Sequence, residues 1–261
     1  MATLGTGYEN FVLENKMTDL TNTILEAKSL MTIDYSLSEA AGLKKTINKY
    51  TYSGAVEKLA KGAKNTTVGG VTFKPSTYTV ERYQQTYKYN DMDIMQDPYL
   101  IDVASNGAAT LMANEIKTEY FTELAKISNK STYTAFNYST IVDALATINK
   151  EVEDGMFIIM GNDLRATIRK DSDFIASKQG EILYTGQFGT ICGLPVLFSK
   201  LVPAGTCYIT KKDAVKFFVK REGSIEQDRD IETKDNTVVY ERHGVMALVD
   251  DTYSIIMSKE V

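Results

Sequence analysis

A narrow apolar stripe runs through the first strongly polar segment of the chain, residues 13–31. Apolar side chains recur there at alternating steps of four and three, the spacing of one face of an amphipathic helix. We therefore predict an N-terminal helical arm whose narrow face docks on another surface, either the body of the same chain or a neighbouring subunit. The stripe consists of Leu13, Met17, Leu20, Ile24, Ala27 and Met31.

A change in composition marks residues 47–90. Polar and aromatic strand patterns occupy residues 47–52, 71–73 and 78–89, and the segment between the first two is small, glycine-rich and basic. Two strands joined by such a long polar segment predict a protruding β arm with little core of its own. The arm either lies across a neighbour, where its lysines meet acidic groups, or is a disordered surface loop. Its lysines are Lys58, Lys61, Lys64 and Lys74.

The pattern over residues 97–127 predicts the longest helix of the chain, a spine entered through Asp97 as N-cap and Pro98 at the first helical position. At 1.5 Å per residue this helix would run roughly 45 Å, more than a compact small domain needs. The apolar positions that we place near one side are Ile101, Ala104, Ala108, Leu111, Met112, Ile116, Tyr120 and Leu124.

From residue 138 onward, helical and strand patterns are mixed. Residues 138–151 have helical spacing, 156–160 form a continuous apolar run typical of a buried strand, and 164–170 predict a further helix. Residues 171–187 are polar and predict loops. Strand patterns follow at 194–198, 207–209, 215–219, 237–240, 245–249 and 254–257. Because no strict βαβ repeat is present, the order favours an α+β fold.

Composition restricts the class of protein. The 261 residues are 43% hydrophobic and 24% charged, which is globular composition. The formal net charge is −5, the wrong sign for a protein that coats nucleic acid. No apolar run approaches the ~20 residues that cross a bilayer and the start lacks a signal-peptide pattern, so we expect no membrane partner. Cys192 and Cys207 lie in apolar stretches, as buried thiols of a reducing compartment do.

Residue types that carry chemistry are sparse. The single histidine, His243, precedes Gly244 in a strand pattern with a bulge or bend, which favours a structural role. No motif of a hydrolase, zinc enzyme or nucleotide-binding loop occurs, so we expect no catalytic, cofactor or metal site. Two acidic clusters are also present. The first favours helix capping and the second favours a solvated strand face, and calcium binding is the alternative for each. They are Asp91, Asp93 and Asp97, and Glu226, Asp228, Asp230 and Glu232.

An ordered series of local features resembles the major capsid proteins of tailed phages with the Hong Kong 97-type fold, a superfamily that includes encapsulin shells. The most telling matches are LAKG (59–62) before VTFKP (71–75), FIIMGN (157–162), GLPV (193–196) before VPAGT (202–206), and REGSIE (221–226). The resemblance implies an N-terminal arm (1–46), an extended β loop (47–92), a peripheral domain with the spine helix (93–137), an axial α/β domain (138–210) and strands that return from the axial to the peripheral domain (211–261).

The resemblance also implies a function. The chain would self-assemble as hexamers and pentamers into an icosahedral shell that encloses double-stranded DNA without sequence-specific binding. Its partners would be a separate scaffolding protein and the portal and tail-connector proteins, and it would reside in the virion after assembly in the cytoplasm of the infected bacterium. An encapsulin-like compartment is the near alternative, and an α/β hydrolase or transferase is the distant one.

An arm and a β loop that cannot bury themselves alone predict contacts between subunits, because each protruding element can complete its surface on a neighbour. The side chains that we expect to make such contacts come from the arm stripe and from the lysines of the loop. They are Leu13, Met17, Leu20, Ile24, Lys58, Lys61, Lys64 and Lys74.

Overall fold

A computed structural model describes residues 10–26, 30–149, 155–172 and 190–260. The chain combines two mixed sheets, a separate two-stranded hairpin and helices packed on the sheets, which confirms the predicted α+β class. The helices are α1 (Asn10–Glu26), α2 (Asp91–Gln96), α3 (Leu100–Leu124), α4 (Tyr138–Ile148) and α5 (Asn162–Ile168). In the described part of the chain, no helix is both long and apolar enough to cross a membrane.

One sheet, which we call the peripheral sheet, has four strands in the order β1-β10-β11-β4. Its centre is the long antiparallel pair of β10 and β11, which runs from Val215 opposite Leu248 to Arg229 opposite Asn236 and contains two register shifts. The continuous core on this sheet includes side chains of α1 and α3. The strands are β1 (Thr32–Asp34), β4 (Glu81–Asn90), β10 (Val215–Arg229) and β11 (Asp235–Leu248).

Two glycines allow close packing at this centre. A Cβ on Gly244 would lie 2.5 Å from the Phe217 ring, and one on Gly223 would lie 2.6 Å from the Thr18 hydroxyl of α1. The sequence predicted a bulge or bend at Gly244. The register shifts instead lie between Val219 and Ser224 on the opposite strand, β10, and β11 runs without a break.

The other sheet, which we call the axial sheet, has six strands in the order β5-β12-β9-β6-β8-β7. Every side chain of β6 is buried because alternate residues serve two cores. Phe157 and Ile159 join the core shared with α3, whereas Ile158 and Met160 join the core on the opposite face with α4 and α5. The strands are β5 (Lys130–Tyr133), β6 (Met156–Met160), β7 (Thr190–Ile191), β8 (Leu194–Phe198), β9 (Thr206–Lys211) and β12 (Ile255–Lys259).

The predicted β arm is a regular hairpin of β2 (Lys44–Ser53) and β3 (Gly70–Thr79). The sequence pattern joined residues 78–89 into one strand, and the structure divides them at Val80. Tyr78 pairs with Lys45 in the hairpin, whereas Glu81 pairs with Gly244 in the peripheral sheet. The alternation of side chains continues across Val80 because β3 and β4 are both strands. The sequence pattern therefore does not reveal that β3 pairs with β2 and β4 pairs with β11.

The spine helix is present but shorter than predicted, from Leu100 to Leu124. Residues Asp91–Gln96 form the separate helix α2, capped by Asn90, and Asp97 ends it. The Asp97 carboxylate accepts a hydrogen bond from the Tyr99 N–H at 3.0 Å, so it caps the turn that leads into α3 and not the helix itself. Leu111 is 57% exposed, which corrects its placement on the buried side.

The arm helix α1 packs on its own subunit. Leu13 and Met17 are only 2% and 0% exposed and belong to the largest hydrophobic core of the chain, which is one of the two dockings that the sequence left open. The buried face continues at steps of four residues through Thr21 and Leu25. It therefore departs from the alternating steps of four and three that the sequence suggested. Leu20 and Ile24 are half-buried at its edge, and Ala27 lies outside the described residues.

Polar contacts also hold α1 in place. Lys16 forms an ion pair with Asp102 of α3, and the Lys117 Nζ donates to the Ile24 carbonyl at 2.6 Å near the end of α1. The fully buried Arg242 of β11 donates from Nη1 to Asn22 Oδ1 at 2.8 Å. The arm helix is therefore held on α3 and the four-stranded sheet by both apolar and polar contacts.

A carboxyl pair lies where the hairpin joins the body. Glu119 of α3 shares a hydrogen bond with Glu81 of β4 and accepts another from the Tyr83 hydroxyl. Burial, opposed by the Tyr83 hydrogen bond and reinforced by Glu81, raises the pKa of Glu119 to about 7. Both carboxyls line a cavity of about 360 Å³ beside Tyr78 and Val245.

We predict that Met17→Ala lowers the free energy of unfolding of the unassembled subunit by about 2–5 kcal/mol, because it leaves a cavity in the main core. Urea unfolding followed by circular dichroism measures this change. Phe11→Ala, at a position 71% exposed on the same helix, is the matched control and should change stability by less than about 0.5 kcal/mol. Equal effects of the two variants would contradict the docking of α1 on its own subunit.

We predict that Glu119→Gln flattens the pH dependence of subunit stability. A carboxyl whose pKa rises on folding stabilises the fold when protonated, so wild-type stability should fall as pH rises between the unfolded value near 4.5 and about 7. Melting temperatures measured from pH 4.5 to 8 should show this loss in the wild type and a smaller one in the variant. Glu226→Gln, at an exposed position, should follow the wild type. Parallel curves for all three proteins would refute the prediction.

Candidate assembly surface

His243 and Cys207, the residues considered for chemistry, both lie within strands. His243 lies in the interior of β11, opposite Arg221 on one side and Arg82 on the other. Cys207 is fully buried on β9, and burial raises the pKa of its thiol far above the ordinary value. Within the described ranges, no group of three or more His, Cys, Asp or Glu side chains could hold a metal ion.

The first acidic cluster stabilises the junction of β4 and α2. The Asp91 carboxylate accepts hydrogen bonds from Arg229 and from Asn236 Nδ2, and these contacts lower its pKa. Asp93 completes a capping box with Asn90. These contacts, with Asp97 in the turn before α3, give all three carboxylates structural roles.

The second acidic cluster lies at the exposed end of the β10–β11 pair. The Asp230 carboxylate accepts from the Glu232 N–H at 2.8 Å, and this backbone hydrogen bond is the main cause of its lowered pKa. Glu226, Asp228 and Glu232 are exposed, as a solvated strand end predicts. We call these four residues, Glu226, Asp228, Asp230 and Glu232, the acidic turn.

The hairpin is anchored to the body along one face at its base. Ile47, Tyr78 and Val80 pack on a small core formed by Leu37, Phe218, Val245 and Ala247. Lys45 Nζ lies 4.4 Å from the centre of the Phe218 ring, and Lys49 forms an ion pair of 3.0 Å with Asp251. The base is therefore fixed in position before any second subunit is present.

The opposite face of the hairpin is apolar and uncovered. Tyr50 pairs with Phe73 and Tyr52 with Val71 across the two strands, and the Tyr50 and Phe73 rings lie 6.3 Å apart. These four side chains are between 63% and 72% exposed. We call these four residues the hairpin apolar face. The contact residues predicted from the sequence do not include these four, although the alternating aromatic residues at 50 and 52 were a signal of such a face.

The tip of the hairpin is closed by one carboxylate. Glu57 accepts hydrogen bonds from the Thr66 N–H at 3.0 Å, from the Thr66 hydroxyl at 2.8 Å and from the Thr67 hydroxyl. The Thr67 and Thr66 hydrogen bonds lower the pKa of Glu57 to about 2. The one acidic residue of this basic segment is therefore engaged in shaping the loop.

The four predicted lysines are all exposed. Lys58, Lys61 and Lys64 lie in the tip between the strands, and Lys74 lies on β3 opposite Lys49. The structure thus brings three of them together at the tip and places Lys74 further along the hairpin. The arm residues Leu13 and Met17 are in the subunit core and take no part in this surface.

Comparisons with known proteins agree with this architecture. The family model described as phage capsid protein matches residues 74–258. The chain is 24% identical over 244 residues to the major capsid protein of Staphylococcus phage phiMR11, covering 90% of this chain and 87% of that protein.

Solved structures show the same fold. The capsid of Cyanophage P-SCSP1u superposes with a TM-score of 0.69 at 9% identity, covering 88% of this chain and 86% of that one. A virus-like particle from Pyrococcus furiosus gives 0.67 at 10% identity, covering 95% and 98%. These similarities confirm the Hong Kong 97-type fold that the sequence resembled. The family model also matches most of the length of this chain. The chain therefore belongs to the phage capsid protein family.

Proposed function

We propose that this chain is the major capsid protein of a tailed phage, assembling into hexamers and pentamers of an icosahedral shell that encloses double-stranded DNA. The observation that carries the proposal is the hairpin apolar face, which is anchored on one side and uncovered on the other. An exposed apolar patch of this kind marks a protein interaction site. Family membership supports a second copy of the same chain as the partner.

Self-association explains the energetics of the hairpin. Its outer half contains exposed Tyr50 and Phe73 and contributes no side chain to the subunit core, so an isolated subunit gains little from ordering it. Laying this face on a neighbour removes apolar surface from water and supplies the missing stabilisation. The role that we infer for the chain is accordingly structural and not enzymatic.

Charge complements this apolar contact. The tip carries Lys58, Lys61 and Lys64, with Glu57 committed to hydrogen bonds inside the loop, in a chain of net charge −5. A basic tip that reaches an acidic neighbour, such as one that presents the acidic turn, would be guided into register by electrostatic attraction.

The assignment of parts follows from the same proposal. Residues 1–46 serve as arm, 47–92 as β loop, 93–137 as peripheral domain with the spine, 138–210 as axial domain and 211–261 as the strands that return to the peripheral domain. The strand pairing crosses these bounds, because β4 joins the four-stranded sheet and β5 and β12 join the six-stranded sheet. A separate scaffolding protein, a portal and tail-connector proteins complete the particle. Assembly takes place in the bacterial cytoplasm, and the mature protein resides in the virion.

An encapsulin-like compartment is the second candidate, supported by the similarity to the Pyrococcus furiosus particle. That similarity concerns fold alone, whereas the family model and the curated relative both favour a phage capsid. Negative-stain microscopy of the purified protein tests the shared part of both candidates, which is the formation of closed shells. Nuclease-protected DNA within particles from infected cells supports the phage capsid, and an enclosed enzyme supports the compartment.

We predict that Tyr50→Ser together with Phe73→Ser prevents assembly and leaves the subunit folded, because both rings are exposed in the subunit. Sedimentation velocity should show wild-type capsomers or shells and only small species of the variant, at an unchanged melting temperature. Thr51→Ala with Thr72→Ala alters the other face of the same hairpin and should assemble normally. Wild-type-like shells from the serine variant would remove the hairpin apolar face from the interface.

We predict that Lys61→Glu together with Lys64→Glu slows assembly more than either change alone. The initial rate, followed by light scattering, should also fall with salt in the wild type, since the Debye length is only about 10 Å at 0.1 M. Arg at both positions keeps the charge and should retain the wild-type rate. An unaltered rate in the double Glu variant would show that these lysines do not face a neighbour's charges.

A further inference from the structure

A basic pocket lies between the peripheral and axial domains, away from the hairpin. It has a volume of about 370 Å³ and is bounded by α3, α5 and the segment that follows β8. Each of these elements contributes one cationic side chain to the lining, Lys117 from α3, Arg165 from α5 and Lys200 from the segment after β8. Three cationic side chains thus line one cavity in a chain whose net charge is −5, and the Lys117 ammonium also donates to the Ile24 carbonyl at 2.6 Å.

The polar groups around these cations include further hydrogen-bond donors. Asn114 and Asn162 line the pocket and can present amide N–H groups. Ser199 Oγ accepts from the Leu201 N–H at 3.3 Å, which leaves its own hydrogen to donate. Among the described residues, none of the lining side chains is a carboxylate. The pocket therefore suits an anion with several acceptor oxygens.

Arg165 is held in place by stacking. Its guanidinium carbon lies 4.4 Å from the centre of the Phe198 ring, another residue of the lining. In the described part of the chain, neither Arg165 nor Lys200 forms an ion pair, and the buried Arg165 Nε has no hydrogen-bond partner. Their charges are thus not neutralised by a described carboxylate, which is the condition for attracting a ligand anion.

We propose that this pocket binds a phosphate group. A single carboxylate would be satisfied by one arginine, whereas cations from three directions match the oxygens of a tetrahedral anion. The phosphate comes either from a nucleic acid backbone or from a free phosphate ion, because both present the same oxygens. The pocket can be locally positive although the whole chain carries a negative net charge, because the other lining residues are uncharged.

Calorimetric titration of the purified full chain with inorganic phosphate, at constant ionic strength, tests the proposal. Wild type should bind one phosphate per chain, and Lys200→Gln and Arg165→Gln should each weaken binding by about tenfold or more. Lys200 is exposed, so its variant keeps the test valid if loss of the Phe198 stacking unfolds the Arg165 variant. Lys212→Gln removes an equal charge from an exposed turn and should bind as the wild type does.

A second arm distinguishes the sources. If a short DNA duplex displaces phosphate from the wild type, and binds the Lys200 variant less tightly, the group belongs to a nucleic acid backbone. Phosphate binding that a duplex does not disturb indicates the free ion, and either result upholds the site. Absence of phosphate binding by the wild type, or equal affinity in the Lys200 variant, would overturn it. Reduced self-association of that variant without phosphate binding would instead assign the pocket to an acidic side chain of a second copy.

Discussion

The antiparallel pair of β10 and β11 is the interaction on which the rest of the subunit depends. It extends from Val215 to Leu248, pairs with β1 on one side and β4 on the other, and forms the surface on which α1 packs. The hairpin base packs on the same two strands through Phe218, Val245 and Ala247. Because α1, β1, β4 and the hairpin base all contact this one pair, it fixes the relative positions of elements that are far apart in sequence.

This stiffness explains how one subunit can present an uncovered apolar surface and still be well folded. The core on the four-stranded sheet includes no side chain from the outer half of the hairpin, because α1 and α3 already cover the sheet. In the proposed assembly, the hairpin apolar face would stabilise contacts between subunits without weakening the subunit itself. Folding and assembly would then depend on separate sets of side chains, with Met17 in the first and Tyr50 in the second.

Local patterns predicted the spine helix, the buried strand β6 and the existence of a β arm, since each has a strong period or a continuous apolar run. The docking of α1, the break at Val80 and the separate helix α2 depend on which distant strand or helix each segment meets, and no local period encodes that choice. The exposed lysines were placed correctly on the surface, whereas Tyr50 and Phe73 were missed. The basic pocket joins residues 117, 165 and 200, which only the fold brings together.

The order of strands in the axial sheet also constrains the time course of folding. β12 comes last along the chain but lies inside the sheet, between β5 and β9, and β5 has no other partner there. The sheet therefore cannot close until every earlier element has been synthesised. Such non-local pairing slows folding relative to local contacts. A chain that lacks Ile255–Lys259 would therefore lose the strand that joins β5 to β9.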